Sequence, residues 1–105
     1  MDLIRVIDTE TPGHVRLVGE IDLSNVEELR CRLQEQWRNG ALIVDTSEVT
    51  FMDARGLQML IELGRQAAER GATVHILNGS PSIRRVLELA TPDGIPGLRV
   101  IERND

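Results

Sequence analysis

One cysteine, two histidines and no hydrophobic run of bilayer length leave this 105-residue chain few of the usual means of stapling itself together or doing chemistry. Cys31 alone closes no internal disulfide, and with only His14 and His75 beside it a structural zinc site is short of ligands. No stretch approaches the roughly 20 consecutive apolar residues that a membrane-spanning helix needs, and the opening MDLIRVIDTE has no basic segment followed by an apolar one. The expectation is a cytoplasmic protein without direct membrane insertion. Basic residues are in deficit, 12 against 17 acidic, so the net charge is −5 and nucleic acid is an unsuitable partner. Gly79 and Gly94 stand in no phosphate-binding glycine pattern, and no cofactor is expected.

What is present is a 41% apolar content, enough for one shared core, and residues 1–105 read as a single domain. Leu3 to Thr9 and His14 onward read as two strands of a hairpin, turned by Thr11-Pro12-Gly13, with the second strand continuing through Gly19-Glu20 into Ile21. Ser24 with Glu27 three residues on has the form of a capping box for a first helix, whose stripe is Val26, Leu29, Leu33 and Trp37 and whose stop is Asn39-Gly40. Ala41 to Val44 is an unbroken apolar run, expected to be a central strand covered on both faces. After Asp45-Thr46-Ser47-Glu48, read as a turn, Val49 to Met52 leads to Asp53, the cap of a second helix with its stripe on Leu57, Leu60, Ile61, Gly64 and Ala68 and its stop at Gly71. Thr73 to Leu77 is a further strand. Ser80-Pro81 opens a shorter helix with Ile83, Val86, Leu87 and Ala90 inward, Thr91 to Gly97 is loop, and Leu98 to Ile101 a last strand. Strands alternating with helices imply right-handed parallel crossovers, hence an α/β fold with a mixed, mostly parallel sheet that starts with an antiparallel hairpin.

The most informative stretch runs from Asp45 to Leu57, where a strand feeds an aspartate that opens a helix. The backbone N–H groups of Ala54, Arg55 and Gly56 lack intrahelical acceptors, so Asp53 can cap them. Gly56 removes a side chain from the first turn, which would let a partner's backbone approach. A second acidic turn, Gly19-Glu20-Ile21-Asp22, precedes the first helix. Other candidates have plainer readings: His14 and His75 as sheet residues, Cys31 as an off-stripe surface thiol with no activating base nearby, and Trp37 as core. Arg65, Arg70, Arg84 and Arg85 are interleaved with Glu62, Glu69 and Glu88, as on a solvated face. Two isolated carboxylates, Asp22 and Asp53, on separate turns do not make a phosphatase centre, and the protein is expected not to be an enzyme.

In the order and spacing of Gly19-Glu20-Ile21-Asp22, Leu42-Ile43-Val44-Asp45-Thr46-Ser47, Val49-Thr50-Phe51-Met52-Asp53 with Gly56-Leu57, and Gly71 before Val74-His75-Ile76-Leu77-Asn78, the chain resembles the sulfate transporter and anti-sigma antagonist (STAS) family, and within it the stand-alone anti-sigma factor antagonists. The resemblance covers nearly the whole chain and implies a STAS-type sheet with its helices packed mainly on one face. It implies a regulatory module that docks a protein partner, an anti-sigma factor of the kinase-type ATPase fold, as a monomer or weak homodimer. Members with the full motif carry a serine after the aspartate, which the partner phosphorylates to switch binding off. Here that position is Ala54, which has no hydroxyl, so a form locked in its binding-competent state is expected. Arg55 is a second departure, a guanidinium where a small residue is common. The expected docking surface is Asp22, Asp53, Ala54, Arg55 and Gly56, edged by Ser47, Thr50 and Gln58, with Thr50, Thr46 or Ser47 as substitute acceptors. Small STAS proteins lacking the serine also serve as accessory subunits of lipid-import ATP-binding cassette transporters, the alternative that the resemblance implies.

Overall fold

The computed structural model describes residues 4–9, 11–37, 40–77, 79, 81–90 and 94–101. Leu3 of the expected first strand, Asn39 of the first helix stop, Asn78, the Ser80 cap and Thr91 to Asp93 of the loop lie outside them. The chain order is β1 (Arg5–Asp8), β2 (His14–Ile21), α1 (Val26–Gln36), β3 (Leu42–Met52), α2 (Ala54–Glu69), β4 (Val74–Leu77), α3 (Pro81–Ala90) and β5 (Leu98–Ile101). The five strands form one sheet in the order β1-β2-β3-β4-β5. β1 and β2 are an antiparallel hairpin, and every later pairing is parallel.

Side-chain alternation divides the sheet into two faces. Val15, Leu17, Leu42, Val44, Val74 and Ile76 are fully buried, while the intervening Arg16, Ile43 and His75 keep contact with solvent. Each of the crossovers through α1, α2 and α3 advances one strand in the same direction, so the right-handed rule sets all three helices on one face. The expected one-sided packing is therefore observed, and β3 is the middle strand. It is not covered on both faces, however: Ile43 is half-buried on the helix-free side, and the apolar run reflects its depth within the sheet.

The helices seat as their stripes dictate, with adjustments. α1 buries Val26, Leu29 and Leu33 but ends at Gln36, earlier than Gly40; Trp37 already has extended backbone and is buried, donating its indole N–H to the Gly40 carbonyl at 3.0 Å beneath the Arg70 guanidinium. In α2 the inward line is Gly56, Met59, Leu60, Leu63, Gly64 and Ala67, so the expected stripe is turned by about one residue; Leu57 and Ile61 are half-buried and Ala68 is exposed. A longer stretch of α2 thus packs with its small residues inward. At Gly64 a side chain would collide with Leu98, and at Gly97, with φ +80°, it would run into the backbone of Gly64, so these glycines let β5 pass directly beneath the helix. α3 buries Ile83 and Leu87 and leaves Val86 exposed, contrary to the expected stripe.

β3 runs unbroken through the segment expected to turn. Asp45 replaces the turn by satisfying the strand locally: its carboxylate accepts from the Ser47 N–H at 2.9 Å and pairs with Arg16 Nε at 3.6 Å, while the ladder to β2 shifts register nearby. Burial opposes ionisation of Asp45, but the Ser47 N–H and hydroxyl with the charges of Arg16 and His14 outweigh it and hold the carboxyl below its ordinary range. A lowered folded-state pKa means stability that is present above the unfolded value of about 3.9 and is lost as pH falls through the folded value. Asp45→Asn should cost about 1 kcal/mol at pH 7 and flatten the acid limb of a urea-denaturation series below about pH 4; parallel acid limbs in the two proteins would refute this assignment.

Candidate functional site

Two turns meet where β2 and β3 leave the sheet. β2 ends at Ile21, whose carbonyl accepts the Asp53 N–H at 3.1 Å, and this bond brings the turn before α1 against the turn before α2. The Asp53 carboxylate then serves both. Its Oδ1 accepts from the Arg55 N–H at 2.9 Å and the Gly56 N–H at 3.1 Å, capping α2, and its Oδ2 accepts from the Leu23 N–H at 3.2 Å. Capping alone leaves Oδ2 free; the third bond makes Asp53 a clasp between segments thirty residues apart in sequence.

The turn before α1 has its own closure. Asp22 Oδ1 accepts from the Ser24 N–H at 2.9 Å and from the Ser24 hydroxyl at 2.5 Å. The buried Asn25 accepts the Asp22 N–H at 3.1 Å and donates to the Glu20 carbonyl at 2.8 Å. The expected capping box therefore does not form: Asp22 captures Ser24, Asn25 takes the N-cap place without a side-chain cap bond, and the helix starts at Val26.

Of the expected site residues, Asp22, Asp53, Ala54 and Arg55 are brought together, and the exposed Gln58 follows one turn along α2. Ala54 and Arg55 are exposed, and neither side chain takes part in the cap. Gly56 is a correction. It is buried, and a Cβ there would sit 2.5 Å from Met52 Cγ and 2.7 Å from Ile21 Cγ2, so its missing side chain makes room for the protein's own core and not for a partner. Thr50 is exposed, with its hydroxyl donating to the Gly19 carbonyl at 3.4 Å. Ser47 is tied to Asp45, roughly 20 Å back along β3 from Asp53 at the rise of an extended strand, and is not part of the cluster. Thr46 is 1% exposed and its hydroxyl donates to the Leu77 carbonyl, so as a substitute phosphate acceptor it is closed off.

Two exposed apolar residues close in sequence to these turns escaped the sequence reading. Leu23 is 66% exposed and Phe51 51% exposed, one in each of the segments that converge on Asp53. Leu23 stands between polar turn residues, outside every periodic stripe, and that isolation was its signal. Phe51 lies in the short segment Val49 to Met52, which was read only as leading to Asp53. Leu23 with Ala54 makes a small apolar surface bordered by Asp22 and Arg55, whereas Phe51 alternates with Met52, which packs on Gly56 of α2, and so faces the helix-free side of the sheet. Among the described residues no group of three or more histidine, cysteine or carboxylate side chains is placed to hold a metal ion.

Asp53→Ala removes three accepted bonds at once. It should lower stability by about 1–2 kcal/mol in urea denaturation and speed amide exchange at Leu23, Arg55 and Gly56, whereas Asp53→Asn, an equally good cap, should retain most of the stability. Unchanged exchange at Leu23 in the alanine variant would remove the clasp from the structure's supports.

A family model described as "Mlab, STAS domain" matches residues 4–100. Among solved structures, the chain is similar to the anti-sigma factor antagonist SpoIIAA of Bacillus in its unphosphorylated form, at 20% identity and a TM-score of 0.69 over 97% of this chain and 90% of that one. An anti-sigma factor antagonist from Mycobacterium paratuberculosis gives 23% identity and a TM-score of 0.70 over 94% of this chain and 86% of that one. The murine anion transporter Slc26a9 in its inward-facing state matches at 19% identity and a TM-score of 0.67, over 92% of this chain but 20% of the transporter.

Proposed function

This chain belongs to the STAS domain family, and from that premise we propose that it is a regulatory docking module whose partner is an anti-sigma factor or another partner-switching protein of the kinase-type ATPase fold. The observation that carries the reading is the Asp53 clasp. It holds two loops as one preformed surface, so little ordering cost remains to be met when a second protein arrives. On that surface Ala54 is small, neutral and exposed, with Leu23 as apolar anchor, Asp22 and Arg55 as charged border and Gln58 beside them. Thr50 stands at the edge; Gly56 and Ser47 drop out of the docking set.

Residue 54 carries no hydroxyl, so the interaction is not switched by phosphorylation there. In family members that are switched, the phosphate adds about −1.5 to −2 charges at this point. Ala54→Asp imitates part of that change, set beside the existing carboxylates of Asp22 and Asp53. Calorimetry against purified kinase-type anti-sigma factors from the same genome should show binding by the parent and roughly tenfold or greater weakening in Ala54→Asp. Ala54→Ser should then be phosphorylated by the bound partner in the presence of ATP. A partner indifferent to Ala54→Asp would overturn the assignment of this surface.

The likeness to a segment of an anion transporter places the same fold within a membrane-transport protein, and the second reading is the one the family resemblance implies, an accessory subunit that packs on the ATPase of a lipid-import transporter. No helix among the described residues is long and apolar enough to cross a membrane, so in that role the domain would join a membrane assembly through protein contacts. Co-purification separates the two: a transporter ATPase retained through the Ala54 surface favours transport, a kinase-fold partner favours transcription control.

A further inference from the structure

α1 and α2 are joined by an amide hydrogen bond from Gln34 Nε2 to Gln66 Oε1 at 3.1 Å, and a groove of about 450 Å³ lies between them, reaching to Leu23 and Arg55. Val26 and Met59 are its buried apolar lining, and Leu23 is its exposed lip. Arg30, Arg55 and Arg65 also line it, with Glu27 and Glu62 as its carboxylates. Those carboxylates are already engaged within their own helices: Arg30 pairs with Glu27 at 2.7 Å and Arg65 with Glu62 at 3.5 Å. Arg55 is left as the groove's guanidinium without a carboxylate partner among the described residues, and it is exposed. The groove is continuous with the Ala54 surface through Leu23 and Arg55.

Resting on the docking reading above, we propose that this groove receives an amphipathic α-helix of the protein partner, with apolar side chains against Leu23, Val26 and Met59 and a carboxylate against Arg55. From Arg55 to Gln66 the α2 wall extends roughly 16 Å at 1.5 Å per residue, which accommodates three turns of a helix laid alongside. Two facing helices with an apolar floor and charged rims present the helix-in-groove form of recognition. The sign of the partner's charge follows from the pairing within the groove: a basic helix would meet three guanidiniums, two of them holding the carboxylates that line it, whereas an acidic helix supplies what Arg55 lacks. Ala54 would then report contact at the mouth of the groove, and Arg55 would select which partner helix enters.

The test uses the full chain, isotope-labelled for amide NMR, and two synthetic peptides of about five helical turns. Both carry leucines at three- and four-residue steps; one is flanked by glutamates and the other by lysines. The acidic peptide should shift the amides of Val26, Arg30, Gln58, Glu62 and Gln66 saturably, and the lysine peptide and the Arg55→Glu variant should each bind roughly tenfold more weakly or worse. Leu89→Ser, which alters the exposed leucine on α3, should bind the acidic peptide as the parent does. Equal binding of both peptides, shifts centred on α3 or the helix-free sheet face, or no saturation at millimolar peptide would each overturn the proposal, as would peptide-independent shifts that grow with protein concentration, the mark of a second copy in the groove. Against a purified protein partner, Arg65→Glu lies far along the groove from Ala54: full affinity in Arg65→Glu with loss in Ala54→Asp sinks the groove proposal and leaves the docking reading intact, while full affinity in Ala54→Asp sinks the docking reading itself.

Discussion

Everything at the working end of this molecule depends on one constraint of handedness. Three successive crossovers advance in one direction along a parallel sheet, so all three helices lie on the same side and all helix starts gather beyond the same strand ends. Parallel strands put their carboxyl ends at one edge, and the turns that follow β2 and β3 are neighbours because the strands are. The meeting of the Asp22 and Asp53 turns is thus a product of topology before any side chain acts. Reversing one crossover would send its helix to the bare face and part the two turns.

On that frame a single carboxylate converts proximity into a defined surface. The Ile21 carbonyl fixes where β3 ends relative to β2, and Asp53 then accepts from both sides of the junction. Local interactions elsewhere follow the same economy. Asp22 closes its own turn through Ser24, Asn25 bridges Glu20 and Asp22, and Asp45 is satisfied by Ser47 and Arg16 within the sheet. The acidic residues that stand out in the sequence are largely occupied with organising backbone. The groups that reach outward are the ones the backbone does not use: Leu23, Phe51, Ala54 and Arg55.

Element order, the hairpin and the cap at Asp53 were legible from turn chemistry and periodicity, because each depends on contacts within a few residues; the mostly parallel sheet followed from strands alternating with helices, and the one-sided helix layer was what the family resemblance implied. The errors fall where the deciding contact lies outside the pattern that was read. Ser24 lost its capping role to Asp22, whose carboxylate competes for the same hydroxyl, and nothing in the S-x-x-E pattern reveals that competition. The stripe of α2 turned so that Gly56 faces inward against Ile21 of β2, thirty-five residues earlier, while Gly64 keeps its expected place under Leu98. The turn expected at Asp45 to Glu48 became strand because Arg16 and Ser47 satisfy the carboxylate in place. Gly56 was read as an opening for a partner when the neighbours that need its space, Met52 and Ile21, belong to the chain's own core. Family resemblance drew attention to the right turns, but Leu23 and Phe51 emerged only from exposure in the folded chain.

The clasp at Asp53 takes its donors from residues 23, 55 and 56 and passes over residue 54 altogether. Folding therefore places almost no demand on the side chain at that position, and serine, alanine or another small residue can be exchanged there without disturbing the architecture. In the docking reading proposed above, such a position can pass between reversible and permanent forms of signalling by single codon changes, because what reads it is the partner and not the fold.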